Sequence, residues 1–189
     1  MLPDPGNREP APEPLRLVQA FVNTIDIENG IEELTDAAAL RSALVRIGAL
    51  SRGAPPLADE DLEQALEVRE ALRRVLLVNA GERPRPEALA VLEDASTAAR
   101  LSIRFEGDAT PALVPRAAGL DGAVGRILAV VYASMVDGTW SRLKACPRDV
   151  CGWVFYDRSR NSSSRWCAMS VCGNRTKVRR YRGKTNPHA

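Results

Sequence analysis

All four cysteines of this chain lie in one short window, which runs from Cys146 to Cys172 with the spacing C-x4-C-x15-C-x4-C. Two close pairs separated by a loop of about this length are typical of a zinc site made of four thiolates. Zinc takes four soft ligands in a tetrahedron, so a short pair lets one turn supply two of them. The spacing therefore predicts that one zinc ion is bound by Cys146, Cys151, Cys167 and Cys172.

Two other interpretations of the cysteines are a pair of disulfides and four unrelated buried thiols. The first residues, MLPDPGNREPAPEP, have neither the basic start nor the apolar stretch of a signal peptide, and no apolar run approaches the roughly 20 residues of a membrane helix. We therefore expect a cytoplasmic protein without a membrane span, where thiols stay reduced and clustered cysteines favour a metal. Four protein ligands leave no position open for substrate, so we expect a structural ion that stabilises a segment of about 40 residues.

The sequence between and after the cysteines predicts a small finger of the treble-clef or ribbon type. GWVFYD alternates like a strand, with Trp153 and Phe155 on one face and Val154 and Tyr156 on the other. SRNSSS is a turn. Residues five apart lie about 140° apart on a continuous helix, so we expect Cys167 just before a helix and Cys172 near its first turns.

Charge is divided unevenly along the chain. Residues 141–189 carry twelve Lys or Arg and two Asp or Glu, a net charge of +10, whereas the other 140 residues carry 14 basic and 22 acidic residues, a net charge of −8. Opposite charge in two parts of one chain predicts two modules with different partners, and a segment this basic suits a polyanion. The alternative is a solvated basic face without a partner.

Basic residues around and beyond the cysteines are candidate contacts to nucleic acid. Arginine forms bidentate hydrogen bonds to phosphate or guanine, and a metal-pinned helix with a basic face could dock in a DNA groove. RNA is electrostatically as suitable. The candidates are Arg158, Arg160, Arg165, Arg175, Lys177, Arg179, Arg180 and Arg182.

The residues before the cysteines predict a tail and a helical domain. Residues 1–14 are rich in proline and polar residues, which predicts disorder. Apolar residues at helical spacing predict helices over residues 15–27, over LTDAAALRSALVRIG (capped by Thr35 or Asp36, ended by Gly48), over 59–80 (ended by Gly81), from Pro86 onward and over 120–143. The alternating LSIRFEG predicts a half-buried strand that returns through ALVP as a hairpin.

The residues do not assemble a catalytic constellation. The one histidine, His188, is next to the end of the sequence, which argues against Ser-His-Asp and Cys-His mechanisms and histidine-rich metal sites. Neither GxGxxG nor GxxxxGK[ST] occurs. Carboxylates such as Asp59 fall at a helix N-terminus, where the helix dipole favours them. We therefore expect a protein that is not an enzyme.

The stretch CGWVFYDRSRNSSSRWCAMSVCGNRTKVRRYR resembles the CGNR zinc finger over residues 141–184, including the tetrapeptide Cys172-Gly173-Asn174-Arg175. Upstream, FVNTID, LTDAAALRSALVRIG and LEQALEVREALRRVLL resemble the ABATE domain that usually precedes this finger. The resemblance implies that the four cysteines bind zinc, that Arg175 is the motif arginine, and that Gly173 and Asn174 form a turn. It also implies a bacterial, stress-induced transcription regulator with a DNA-binding finger and an N-terminal domain that senses a ligand.

Asn23 and Thr24 are polar residues within an apolar stretch, and FVNT matches the opening motif of the ABATE family. Members commonly have an aromatic and a basic residue after the following Asp, whereas this chain has Asp26-Ile27-Glu28-Asn29. The two side chains could line a small-molecule pocket. The structural alternative, which we favour, is that they cap the first helix or bond across to the hairpin.

Together these patterns predict a mainly α protein with a small β-hairpin (α+β). Its parts are a disordered tail at 1–14, an ABATE-like helical domain at 15–140, a zinc finger at 141–184 and a tail at 185–189. The expected function is that of a DNA-binding transcription regulator with a candidate small-molecule effector. The alternative is a zinc-stabilised module that binds RNA or protein, including its own acidic N-terminal domain. The sequence does not indicate an oligomeric state.

Overall fold

The computed structural model describes residues 2–105, 107 and 109–174. In that part of the chain, helices alternate with three two-stranded antiparallel hairpins. The elements are α1 (Leu15–Val22), β1 (Ile25–Asp26), β2 (Ile31–Glu32), α2 (Ala37–Arg46), α3 (Asp59–Val78), α4 (Pro86–Ala98), β3 (Ser102–Phe105), β4 (Pro111–Val114), α5 (Gly119–Val136), a 3-10 helix (Thr139–Arg142), β5 (Leu143–Ala145), β6 (Val154–Tyr156) and a π-helical turn (Met169–Gly173). The predicted class, mainly α with a small β-hairpin, is confirmed, and the described residues form three such hairpins where the sequence analysis named one.

Helices α2 and α3 begin and end where capping chemistry predicts. Asp36 precedes α2 in extended backbone, and its Oδ1 accepts a hydrogen bond from Ala39 N at 2.7 Å. At the start of α3, Asp61 Oδ2 accepts from Ala58 N at 2.7 Å. Glycines 48 and 81 follow these helices with φ of +82° and +94°, a conformation that only glycine adopts without strain.

The main hydrophobic core lies between α1, α3 and α5 and continues into the cysteine-bearing region. Phe21, Leu72 and Ile127 are fully buried at its centre. Leu143 of β5 and Val154 of β6 are fully buried in the same cluster. The core therefore crosses the boundary that the sequence predicts between residues 140 and 141.

Helix α5 is shorter than predicted. It ends at Val136 instead of continuing to Leu143, because Gly138 takes a φ of +81° and leaves the helical path. Asp137 Oδ1 then accepts from Thr139 N at 2.8 Å, which starts the 3-10 helix. Of the apolar residues in the rest of the predicted helix, Trp140 lies in the 3-10 helix and Leu143 begins β5. By length and composition α5 is the one described helix that could span a membrane, and half of it is buried in the core.

The predicted hairpin of residues 101–114 is confirmed as β3 and β4, but its predicted half-burial is wrong. Ser102 pairs with Val114 and Phe105 with Pro111. The hairpin packs on α5 through β4, so β3 is the outer strand. Ile103 and Phe105 are therefore 63% and 70% exposed.

The N-terminal segment, residues 2–14, contacts the rest of the protein at several positions. Ala11 is buried, and its backbone N donates to Gln19 Oε1 at 2.7 Å. Gly6 lies so close to Cys167 that an added Cβ would sit 2.8 Å from the Cys167 carbonyl oxygen. A segment too polar to build its own core is thus held by hydrogen bonds and close contacts to an existing surface.

Candidate metal centre

The first two cysteines lie in the turn that joins β5 to β6. Leu143 pairs with Tyr156 and Ala145 with Val154, and Cys146 N donates to Trp153 O at 2.9 Å. Cys151 N donates to Arg148 O at 2.8 Å and closes a tight turn. The strand β6 is as predicted, whereas its partner, which comes from just before Cys146, was not.

The second pair of cysteines flanks the start of a helical turn. Cys167 precedes it, and Cys172 lies within the π-helical turn Met169–Gly173. The backbone N atoms of Cys172 and Gly173 both donate to Ala168 O, at 2.9 and 3.1 Å. This wide turn confirms the predicted placement of Cys167 before the helix and Cys172 in its first turn.

The four thiols converge at one buried point. Each cysteine is at most 5% exposed, and the four Sγ atoms lie within 4.8 Å of one another. Cys167 Sγ lies 3.6 Å from Cys151 Sγ and 3.5 Å from Cys172 Sγ. Sulfurs bound tetrahedrally to zinc lie about 3.8 Å apart, whereas a disulfide bond is about 2.0 Å. The cysteines are free, and their arrangement fits one structural zinc ion with no open ligand position.

The electrostatics of the cluster also favour a cation. The pKa of Cys167 is raised, mainly because it donates hydrogen bonds to Cys146 and Cys151, and also because it is buried. The pKa of Cys146 is lowered to about 2, mainly because its sulfur accepts hydrogen bonds from Cys151 and Cys167. Because four buried thiols share one point, each thiolate that forms makes the next deprotonation less favourable. Ligating thiols must all be deprotonated, and a divalent ion supplies the charge that makes this favourable.

Alternate residues of β6 serve two different cores, as the sequence predicts. Trp153 and Phe155 are buried with the cysteines. Val154 is fully buried in the main core, and Tyr156 packs against the same cluster. One short strand therefore holds the metal site on the helical domain.

Two arginines that the sequence analysis did not single out connect the cysteine region to the N-terminal domain. Arg148 Nη2 donates to Glu28 Oε1 at 2.6 Å. Buried Arg73 of α3 donates from Nη1 to Gly152 O and from Nη2 to Val22 O, each at 2.7 Å. No local sequence pattern indicates these contacts, because Arg148 and Glu28 are 120 residues apart and Arg73 and Gly152 are 79 residues apart.

A buried ion pair holds the loop of residues 158–164. Lys144 Nζ lies 2.8 Å from Asp157 Oδ2 and also donates to the carbonyl oxygens of Ser162 and Ser164. Burial opposes ionisation of Asp157, but the hydrogen bonds from Lys144 and the neighbouring serines prevail and hold its pKa well below its usual range. The loop therefore has a fixed conformation although its tip is exposed.

The structure describes three of the arginines that are predicted to contact nucleic acid. Arg158 Nη2 donates to Pro10 O at 2.8 Å and its Nε lies 3.3 Å from Glu9 Oε2. Arg165 Nη2 lies 3.2 Å from Glu82 Oε1. Arg160 is exposed and makes no ion pair with the described residues. The other candidates lie outside the described residues: Arg175, Lys177, Arg179, Arg180 and Arg182.

The polar side-chain atoms of Asn23 and Thr24 form hydrogen bonds within the protein. Asn23 Oδ1 accepts from Val154 N, and its Nδ2 donates to Val154 O, both at 2.8 Å. Thr24 Oγ1 donates to Phe21 O at 2.9 Å and accepts from Arg69 Nη1 at 3.2 Å. Helix α1 accordingly ends at Val22, before the predicted end at residue 27. These contacts agree with the structural interpretation of both residues.

A small cavity lies beside Asn23, between the N-terminal segment and α1. Its lining includes Leu2, Arg8, Gln19, Asn23 and Trp153, and its volume is about 60 Å³. Pockets that hold drug-sized ligands are usually about 300–1,000 Å³. In this conformation the cavity therefore has room only for very small molecules.

Comparison with known proteins agrees with this architecture. The ABATE family model, described as "Putative stress-induced transcription regulator", matches residues 15–138, and the CGNR zinc finger model matches residues 142–185. No curated protein matches the chain. The ABATE match covers more than half of the sequence, and the second match covers the four-cysteine cluster. The chain therefore belongs to the ABATE family and carries a CGNR zinc finger as its C-terminal part.

Proposed function

We propose that this protein is a cytoplasmic bacterial transcription regulator whose zinc finger binds DNA, largely through phosphates. The observation that carries the proposal is the charge division, with a net +10 in residues 141–189 and −8 in the rest of the chain. A polyanion is the natural partner of the basic part. Both matched families are of regulatory or zinc-finger type, and neither is enzymatic.

The exposed loop of residues 158–164 supports this proposal. Arg160, Asn161 and Ser163 are exposed at its tip, and the buried pair of Lys144 and Asp157 fixes the backbone beneath them. Arginine, asparagine and serine side chains all donate hydrogen bonds to phosphate oxygens. A loop that is already ordered loses little conformational entropy when it binds.

Two of the candidate arginines are held loosely enough to exchange partners. The side chain of Arg158 is 50% exposed and that of its partner Glu9 is 79% exposed. The side chains of Arg165 and Glu82 are 51% and 46% exposed. Exposed pairs of this kind contribute about 0–1 kcal/mol, so a phosphate could replace either carboxylate.

In this proposal the helical domain receives a signal and passes it to the finger. The contact between Asn23 and Val154 supports this coupling. Asn23 lies at the end of α1, and its side-chain amide hydrogen-bonds to both backbone polar groups of Val154 in β6. A ligand that moved the end of α1 would therefore also move β6. The cavity of about 60 Å³ beside Asn23 would have to enlarge to admit an effector of metabolite size.

Fluorescence anisotropy with a random-sequence DNA duplex tests the proposal. Binding should weaken steeply between about 50 and about 200 mM salt. The double substitution R179A/R180A should weaken binding to all sequences and reduce the slope of log K against log salt by roughly two. The control R52A/R83A removes the same charge from exposed positions of the helical domain and should leave binding unchanged. An unchanged affinity in R179A/R180A would contradict the proposed surface, and selection from a random duplex pool with and without zinc would identify the preferred sequence.

A second candidate function is that of a protein-interaction module. The observation in its favour is that three arginines of the finger already pair with carboxylates from the N-terminal region. The pairs are Arg148 with Glu28, Arg158 with Glu9 and Arg165 with Glu82. If neither duplex DNA nor RNA binds at low salt, the basic surface serves an acidic protein partner or the chain's own N-terminal domain. Binding to RNA alone would identify an RNA-binding module.

A further inference from the structure

Arg148 reaches from the first pair of cysteines to the second. It lies in the turn between Cys146 and Cys151, and its Nη1 donates to Cys172 Sγ at 3.4 Å. Its Nη2 donates to Glu28 Oε1 at 2.6 Å. One guanidinium group therefore contacts both a metal ligand and a carboxylate of the helical domain.

The turn that carries Glu28 is itself well ordered. Asp26 Oδ1 accepts from Asn29 N at 3.1 Å, and Asp26 Oδ2 accepts from Asn29 Nδ2 at 2.7 Å. Gly30 follows with a φ of +66° and lets β2 pair with β1. Glu28 is thereby held at the tip of the small β1–β2 hairpin, directed at Arg148.

The charge of the metal site explains what this contact does. Four thiolates around a divalent ion carry a net charge of −2 in a buried place, and a nearby cation lowers the cost of burying them. A charged N–H donor also makes a stronger hydrogen bond than a neutral one. Since the Arg148 side chain is only 15% exposed, water competes weakly for the guanidinium.

We propose that Arg148 is a positioning residue of the zinc site, that its guanidinium stabilises the thiolate of Cys172, and that Glu28 holds that guanidinium in place. The helical domain thereby contributes to zinc affinity through a hairpin that contains no zinc ligand. This role is independent of whether the finger binds DNA.

The chain contains a matched control for this contact. Arg165 and Glu82 form another ion pair between the finger and the helical domain, at 3.2 Å. Arg165 contacts the ring of Trp166, and neither partner in this pair bonds to a cysteine. If these ion pairs acted only by holding the finger on the helical domain, loss of either pair would lower zinc affinity to a similar extent.

Competition with a chromophoric zinc chelator, using the full-length protein, tests the proposal. R148Q should lower zinc affinity by about 10–100-fold, which is the usual cost of losing a group that supports a metal ligand. E28Q keeps Arg148 but loosens it, so we expect a several-fold loss. R165Q and E82Q should stay within about twofold of the unmodified protein.

The Co²⁺-loaded protein gives a second readout. Its sulfur-to-metal charge-transfer band reports the electron density on the thiolates, so R148Q and E28Q should shift the band while R165Q and E82Q should not. If R148Q does not fold, E28Q decides the matter by itself. The proposal is overturned if E28Q binds zinc as tightly as the unmodified protein with an unshifted band, or if R165Q and E82Q weaken zinc binding as much as R148Q and E28Q.

Discussion

For Asn23, the sequence predicts that the side chain forms a hydrogen bond but does not predict the partner. A polar residue in an apolar helix must satisfy its hydrogen bonds, so the sequence marks Asn23 as a residue with a specific partner. That partner, Val154, lies 131 residues away, and no local pattern indicates it. The same holds for Arg148 and Glu28. The ligands of the metal site could be predicted from spacing, whereas the residues around them depend on the tertiary fold.

We predict that N23A destabilises the folded protein by about 2 kcal/mol. The substitution leaves the buried N–H of Val154 without the Asn23 acceptor, and an unsatisfied buried polar group costs about 1–3 kcal/mol. Urea unfolding with excess zinc would measure the difference in free energy of unfolding.

N161A is the matched control for N23A. Asn161 is an exposed asparagine of the finger loop, so its removal should change stability by no more than about 0.5 kcal/mol. Equal stabilities of N23A and the unmodified protein would remove the structural role of Asn23 and favour the ligand-binding one.

At the scale of the elements, the helices and strands could be predicted from regular apolar patterns, but some of their end residues could not. The alternation of β6 identifies both of its faces, since each face enters a different core. The apolar spacing of α5 continues past its real end, because a helical pattern and a short strand such as β5 look alike over a few residues. Gly138 was the available stop signal. For β3, alternation predicted a buried face, but burial depends on a neighbour that the pattern cannot show.

The N-terminal segment acts as an additional element of the finger. Asp4 Oδ2 accepts from Trp153 Nε1 at 2.8 Å. The guanidinium of Arg8 lies 4.8 Å from the centre of the Phe155 ring and donates to Trp166 O at 3.2 Å. These contacts cover the small core that surrounds the cysteines. Composition alone predicted disorder, because composition does not register contacts with the rest of the chain.

We predict that deletion of residues 2–10 speeds the release of zinc several-fold. The deletion exposes Trp153 and the Cys167 backbone to solvent, so a chelator can reach the thiolates more easily. Stopped-flow mixing with a chromophoric chelator would measure the rate. Deletion of residues 186–189 is the control and should leave the rate unchanged. Equal rates for both truncated proteins would show that the N-terminal segment does not protect the site.

At the scale of the whole molecule, the main core of the helical domain extends into the zinc finger. Leu143 and Val154 are fully buried in the same cluster as Phe21 and Leu72. Asn79 at the end of α3 donates to Leu143 O at 2.8 Å, and Arg73 donates to Gly152 O. The sequence predicted two modules because charge and cysteines change abruptly. Packing joins them, since one strand supplies side chains to both cores.

This extension of the main core into the finger predicts that removal of zinc destabilises the helical domain as well as the finger. Zinc binds the folded state in preference to the unfolded one, so its removal lowers stability by RT ln(1 + [Zn]/Kd), about 4 kcal/mol when free zinc is about 1,000-fold above Kd. Because β5 and β6 contribute to the main core, the loss should lower the midpoint of helix melting in far-UV circular dichroism, in one cooperative transition. Hydrogen exchange should quicken in α1 and α3, which contact β6 and β5 respectively.

R165Q is the control for this prediction. Treated identically with a chelator, it should show the same destabilisation of the helical domain, because the Arg165–Glu82 pair lies outside both cores. A helical domain that melts at an unchanged temperature after zinc removal would show instead that the two parts are energetically independent.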